Sequence, residues 1–342
     1  MSMDIILDFV LIVNNLQKSS KNIFFVLTWA HELNIIKAEY FSIGENQERK
    51  NDMLFSSQSA TLNQRLGLDR AIDVMIEAGY PCIDISLFNH NDYLFADDWQ
   101  DTARRIRHQV DAHGVIFNQA HAPFGGGYDH YTTVLVPQFP RVFAFCEILG
   151  VRQIVVHPLQ RGRYYGHEKE LFDLNMDFYR SLIPLSDQHG IKICIENMWQ
   201  NHPVNRHICD DVCADPHELA AYYDTLNDPE HFTVCLDIGH VALCGREPED
   251  AIRILGHDRL GALHVHDVDY VSDLHQLPGM SKINWNPVIQ ALADIRYSGE
   301  FTLEADSFLH KFDIEHLPAA AKFMADTAKY MADKIEKKMA ET

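Results

Sequence analysis

From Met53 onward the chain alternates, eight times over, a short β-type apolar run with a longer amphipathic helical pattern. The strand candidates are Leu54–Ser57, Cys82–Leu87, Val115–Gln119, Gln153–Val156, Lys192–Ile195, Phe232–Leu236, Ala262–Leu263 and Phe301–Leu303. Helix candidates follow at Leu68–Ala78, Trp99–His113, Gln138–Leu149, Glu168–His189, Pro216–Thr225, Pro248–Leu255, Asn286–Ala293 and from about Ile314 to Met339. Strict βα alternation argues for a parallel sheet, and with eight units the simplest architecture is a closed α/β fold, the (β/α)8 TIM barrel. Boundary signals agree with it: Asp215 stands before Pro216 as cap and first-turn proline, and Gly79, Gly114, Gly150 and Gly190 follow helices. An open doubly wound sheet is the alternative, but no G-x-G-x-x-G follows the first strand. Gly125–Gly127 has the wrong pattern for a phosphate cradle and reads as a flexible loop.

Residues 1–52 do not share this rhythm. They hold an apolar helix-like piece, Ile5–Leu16, a second apolar run, Ile23–Ala30, and a polar stretch, Gly44–Asp52. We expect an N-terminal extension outside a barrel domain of residues 53–342, with Met53 a candidate native start. The run Ile5–Val13 is interrupted by Asp8, is too short to span a bilayer and has no basic region before it, so neither a membrane span nor a signal peptide is expected.

The formal charge of −20 sets a field that repels nucleic-acid backbones and anionic membranes, so no nucleic-acid or membrane partner is expected. The one basic cluster, Arg104, Arg105 and Arg107, falls on an outer-helix pattern and reads as a solvated face. Seven scattered cysteines form no disulfide framework, and Cys209 and Cys213 lack a second pair at zinc-site spacing; a reducing cytoplasm fits best.

In a parallel barrel the residues just after each strand share one rim. Here the third strand ends in Gln119-Ala120-His121-Ala122-Pro123-Phe124, the fourth in Val156-His157-Pro158, and the fifth in Glu196-Asn197-Met198. The sixth ends in Asp237-Ile238-Gly239-His240, the seventh in His264-Val265-His266-Asp267, and the eighth in Glu304-Ala305-Asp306. Six consecutive strands thus bring a His or an acid to one rim with scarcely a basic residue beside them. Crowded carboxylates without a cation are costly, and a divalent metal supplies the missing charge.

The series HAPF, VVHP, IENM, LDIGH, LHVHD with the following DLH, and TLEAD resembles that of the xylose-isomerase-like barrels over about residues 53–310. That superfamily holds sugar and sugar-phosphate isomerases and epimerases, inosose dehydratases and the endonuclease IV type of AP endonuclease. The resemblance implies a single divalent ion held by Glu196, Asp237, His264 and Glu304, an oxygen-rich set with one imidazole that suits Mn²⁺ best, with Zn²⁺, Co²⁺ or Mg²⁺ as alternatives. It implies a sugar isomerase or epimerase in which the cation stabilises an enediolate while Glu196 and Glu304 move the proton and His240 binds or assists.

The same resemblance leaves further readings open. An inosose-type dehydratase shares the first step, and a non-catalytic sugar-binding barrel shares the fold. A multi-zinc phosphodiesterase of the endonuclease IV type would use His121, His157, Asp273 and His275 as additional ligands together with His240; otherwise these residues face the substrate. Within the opening of the seventh-strand loop, His266 and Asp267 take supporting roles. Phe124 and Trp199 are candidates to stack on a sugar in the pocket, or simple packing. The expected partner is a small-molecule sugar or cyclitol, phosphorylated or not, and a homo-oligomer is expected by analogy only.

Overall fold

The computed structural model describes residues 53–341, and the N-terminal extension lies outside the described residues. Eight parallel strands form the core: β1 (Phe55–Ser57), β2 (Cys82–Ser86), β3 (Ile116–His121), β4 (Gln153–Val156), β5 (Lys192–Glu196), β8 (Phe232–Asp237), β9 (Leu260–His264) and β10 (Phe301–Leu303). Between the fifth and sixth barrel strands an antiparallel hairpin, β6 (Trp199–Asn201) and β7 (Ile208–Asp210), stands on the rim.

Strands β2, β3, β4, β5, β8 and β9 pair in that order, and β1 pairs with β10. Two parallel bridges, Gln58 to Asp84 and Val265 to Leu303, join these arcs, with Ser59 N–H donating to Asp84 O and Val265 N–H to Thr302 O. Every barrel strand therefore has two neighbours, and the sheet closes without an edge.

The helices are α1 (Ala60–Leu66), α2 (Leu68–Ala78), α3 (Asp92–Phe95), α4 (Trp99–Asp111), α5 (Gly127–His130), α6 (Phe139–Leu149) and α7 (Glu168–His189). They continue with α8 (Pro216–Leu226), α9 (Ile238–Leu243), α10 (Pro248–Arg259), α11 (Trp285–Asp294) and α12 (Leu317–Glu341). Their starts and stops follow the sequence signals: Asp215 accepts from His217 N–H at 2.8 Å, and α2, α6 and α7 end on left-handed Gly79, Gly150 and Gly190. Helix α10 runs past the expected Leu255 because a kink at Gly256 lets its last turn lead into β9. Arg104 pairs with Asp101, Arg105 with Asp69 and Arg107 with Asp111, so the basic cluster is the solvated face that its spacing predicts. Among the described residues no helix is long and apolar enough to cross a membrane.

The side-chain period of two divides each strand between two environments. Ile154, Ile193, Ile195, Val234, Leu236 and Leu263 join the large core between sheet and helices. The alternate positions Val155, Cys194, Cys235 and Ala262 form a small separate cluster inside the barrel. Two residues further along, the same inward parity carries His157, Glu196, Asp237 and His264. The barrel interior is thus apolar and small at mid-height on this side, and densely polar one layer above.

Candidate metal centre

Glu196 and Asp237 are the last residues of β5 and β8, His264 is the last of β9, and Glu304 follows β10 directly. Parallel register sets Asp237 beside His264 and Glu196 beside Cys235, so the four side chains converge from adjacent strands. One donor atom from each lies within 4.8 Å of the others, and all four residues are buried. His264 sits between the two glutamates, its Nδ1 2.7 Å from Glu196 Oε1 and 3.0 Å from Glu304 Oε2.

Three carboxylates at one buried point demand positive charge. Among the described residues, the ion pairs that Glu196, Asp237 and Glu304 make are all with histidine. Burial acts to raise the glutamates, but the imidazoles of His264 and, for Glu196, His157 outweigh it and hold both well below the usual carboxylate range. Burial acts to lower His264, and the surrounding charges, Glu304 and Glu196 among them, hold it well above an ordinary histidine. Yet Oε2 of both glutamates, although an imidazole nitrogen stands 3.0 Å from each, is buried and accepts no well-aligned hydrogen bond. Buried anionic oxygens that accept no aligned hydrogen bond, beside an imidazole, are the ligand atoms a hard or borderline divalent cation takes, so the residues fit such an ion.

A family model described as xylose isomerase-like TIM barrel matches residues 72–327. The chain belongs to that family. An uncharacterized protein of Methanocaldococcus jannaschii is 27% identical over 154 residues, which is 44% of this chain and 50% of that protein, so the chain spans about half the length of the curated relative it matches. Among solved structures, a D-tagatose 3-epimerase-like protein superposes with a TM-score of 0.64 at 18% identity, covering 84% of this chain and 99% of that one. An IolI protein with a bound zinc atom superposes with a TM-score of 0.62 at 19% identity, covering 83% of this chain and 99% of that one. At these identities the likeness concerns the fold.

On the xylose isomerase-like barrel of this chain, two further histidines approach Glu196. His157 Nε2 lies 3.0 Å from Glu196 Oε2, and His121 Nε2 lies 3.6 Å from the same oxygen and 3.1 Å from His157 Nε2. Phe124 covers this pair, its ring 4.3 Å from His157 and 4.9 Å from His121, and is 36% exposed toward the rim. The three glycines after it, Gly125, Gly126 and Gly127, all have φ between 74° and 102°, a run that only glycine adopts easily.

On the opposite side, Asp237 caps α9: its Oδ1 accepts from His240 N–H at 2.7 Å. His240 Nδ1 lies 2.8 Å from Asn197 O, which leaves Nε2 facing the site, 3.7 Å from Asp237 Oδ2. Trp199 lies edge-on to His240 at 6.3 Å, at the base of the hairpin. Asp273 and His275 form a pair at 3.2 Å, while His275 Nδ1 donates to Glu304 O at 2.9 Å. Burial opposes both ionised forms, but their mutual pairing prevails, holding Asp273 at about 2 and lifting His275 to about 10. His266 stacks on His275 at 4.1 Å and contacts Asp237 Oδ1 at 3.0 Å. Asp267 faces away from the cluster; it accepts from the backbone N–H of Gly279, Ser281 and Ile283 and from Trp285 Nε1, tying down the loop after β9.

Several site neighbours carry no strand-end signal. Gln58 Nε2 donates to Glu304 Oε1 at 2.9 Å. Beneath His264, Gln119 Nε2 lies 3.1 Å from the imidazole Nε2 and 2.9 Å from Asp84 Oδ2, and Gln153 reaches Gln119 at 3.3 Å. Asp84 is fully buried, with Oδ1 unpartnered. The signal that finds these residues is parity, since Gln119 precedes His121 by two positions as Cys194 precedes Glu196. A cavity of about 310 Å³ opens beside Glu304, lined in part by Gln58, Thr61, Phe124, His275, Asp306 and His310.

Proposed function

We propose that the protein is a divalent-metal-dependent sugar isomerase or epimerase, with Glu196, Asp237, His264 and Glu304 as the ligands of one ion. The observation that carries this reading is the placement of Glu196 and Glu304 on either side of His264 Nδ1, each with a buried Oε2 that accepts no well-aligned hydrogen bond. Bound there, a divalent cation would polarise a carbonyl chelated together with its neighbouring hydroxyl and so acidify the C–H of the hydroxyl-bearing carbon. Glu196 and Glu304 would stand on opposite faces of the bound sugar, one as the carboxylate that removes the proton and the other as the carboxylic acid that returns one, with both protonation states restored by exchange with solvent. His240 Nε2 is free to hydrogen-bond a sugar oxygen, because Nδ1 is committed to Asn197 O. The cavity beside Glu304, with its amide, hydroxyl and imidazole lining, suits a sugar or cyclitol, and an inosose-type dehydration would begin with the same proton removal.

The likeness to a D-tagatose 3-epimerase-like protein and to a zinc-bound IolI protein supports the same class and a divalent ion. Mn²⁺ is our preferred metal on ligand softness. We place the catalytic barrel at residues 53–342, with residues 1–52 as an N-terminal extension outside it. A reducing cytoplasmic setting is supported by seven free cysteines.

A second reading, a three-metal phosphodiesterase, is favoured by one observation: the His121–His157 pair on Glu196 Oε2 and the Asp273–His275 pair beside His266 add donor groups on both flanks. The net charge of −20 opposes a nucleic-acid substrate.

Metal analysis of the purified protein, with activity titrated against Mn²⁺ and Zn²⁺ on ketoses, inososes and abasic DNA, decides between them. One metal with stereospecific solvent-proton exchange into a ketose is the expected result. Three tightly held zinc ions with strand incision would overturn it.

A further inference from the structure

Asp306, two residues beyond Glu304, has one carboxylate oxygen committed and one not. Its Oδ2 accepts from Thr61 N–H at 2.9 Å, in the first turn of α1, which fixes the side chain against that helix. Its Oδ1 is buried and has no hydrogen-bond partner. The residue lines the cavity beside Glu304, together with Gln58, Thr61 and His310. A capping role alone explains Oδ2 and leaves Oδ1 unexplained, since an unpaired buried anionic oxygen costs free energy that a neutral capping residue would avoid.

The cavity also has a consistent charge character. Its lining contains two carboxylates, Glu304 and Asp306, and no lysine or arginine. Of its imidazoles, His275 is paired with Asp273, His310 with the Thr61 hydroxyl at 3.1 Å, and the third, His90, is an exposed residue. The guanidinium on α1, Arg65, donates to Leu309 O at 2.9 Å. A phosphate beside Asp306 would meet a carboxylate with no lysine or arginine in the lining to offset it, whereas a hydroxyl would meet an acceptor that lacks a donor.

Resting on the isomerase reading above, we infer that Asp306 Oδ1 receives a hydroxyl of an uncharged polyhydroxy substrate. Asp306 is then a specificity residue that selects a free sugar or cyclitol over its phosphate ester.

The test uses the full chain loaded with Mn²⁺, a panel of free hexuloses, their 6-phosphates and their 6-deoxy analogues, and the variants Asp306→Asn and Asp306→Ala. Asparagine keeps a carbonyl oxygen for Thr61 N–H, and melting temperature and metal content report whether each variant is intact. Solvent-proton exchange gives KM and kcat, and calorimetric binding of the same sugars gives Kd. The expected result is a preference of the wild type for free sugars over phosphates. In D306N we expect a rise in KM and Kd of roughly 10- to 100-fold for the best free sugar, larger than the change in kcat. Discrimination against any analogue that lacks the recognised hydroxyl should shrink in parallel.

If the variants lose melting temperature but keep KM and Kd, Asp306 is only a cap and the assignment is wrong. Preference for a phosphate ester would also overturn it. A wild type that exchanges no proton and binds no sugar would instead sink the isomerase reading itself, a different outcome from exchange that is indifferent to D306N.

Discussion

Gly239 lies against the imidazole of His266 so closely that a β-carbon at position 239 would overlap the ring. His266 in turn holds Asp237 and stacks on His275, so the glycine in Asp237-Ile238-Gly239-His240 is a packing requirement that reaches the proposed ligand set. Gly239→Ala is expected to destabilise the fold by roughly 1–3 kcal/mol, the usual cost of overpacking a filled interior. Because the clash falls on the support of Asp237, metal stoichiometry should drop as well. Thermal melting with metal analysis checks both, and a variant that melts and loads normally would show that the ring can move aside.

Glu196 and Glu304 flank His264 Nδ1 at 2.7 and 3.0 Å, and as proton carriers they should be individually indispensable. Glu196→Gln and Glu304→Gln are each expected to lower the rate of α-proton exchange at least 100-fold, the scale of a lost general acid or base. Metal affinity should fall in both because each also loses a ligand. Comparing rates at saturating Mn²⁺ separates the two effects. A binding module would register only the change in metal affinity, while sugar binding stayed intact.

The convergence of these residues was legible in the sequence because a closed parallel barrel turns strand ends into neighbours. Once eight βα units were recognised, Glu196, Asp237, His264 and Glu304 had to face one rim, and no strand boundary differs by more than two residues. What the sequence did not disclose lies where that logic is weak. The hairpin of Trp199–Asn201 and Ile208–Asp210 consists of two three-residue strands separated by a polar tip, too short for any alternation to register. Helix α9 starts directly on Asp237, so Ile238–Leu243 reads as the tail of the strand rather than as a capped helix. Asp84 and Gln119 are polar residues inside strands and Gln58 directly follows β1, and only the closed barrel reveals that they point inward toward His264 and Glu304.

Asp84 illustrates what those inward polar residues do. Through Gln119 it backs the Nε2 side of His264, the side remote from both glutamates, and such partners fix the orientation and tautomer of a ligand imidazole. Asp84→Asn is expected to weaken metal binding by roughly 10- to 100-fold while leaving the four proposed ligands in place. Chelator competition with Mn²⁺ and Zn²⁺ measures this directly. Unchanged affinity would mean that Gln119 alone holds the ring.

Away from the metal centre, Glu218 on α8 offers a pH-dependent stability term with a definite sign. It is half-buried, and burial pushes its carboxyl up to about 7 despite hydrogen bonds from the Tyr164 hydroxyl and Cys213 N–H, both at 2.9 Å. Its folded pKa lies above the ordinary 4.5, so between these values the folded chain binds more protons than the unfolded one. The contribution is therefore fully present below about pH 4.5 and is lost as pH rises through about 7. Partial exposure screens the effect, which leaves on the order of 2 kcal/mol across the window. Glu218→Gln keeps an acceptor for both donors but cannot ionise. Urea unfolding of both proteins from pH 4 to 8 should show the variant gaining on the wild type as pH rises, with most of the gain between 5 and 7. A difference that stays flat over that range would mean that Glu218 remains ionised throughout, its two donors outweighing burial.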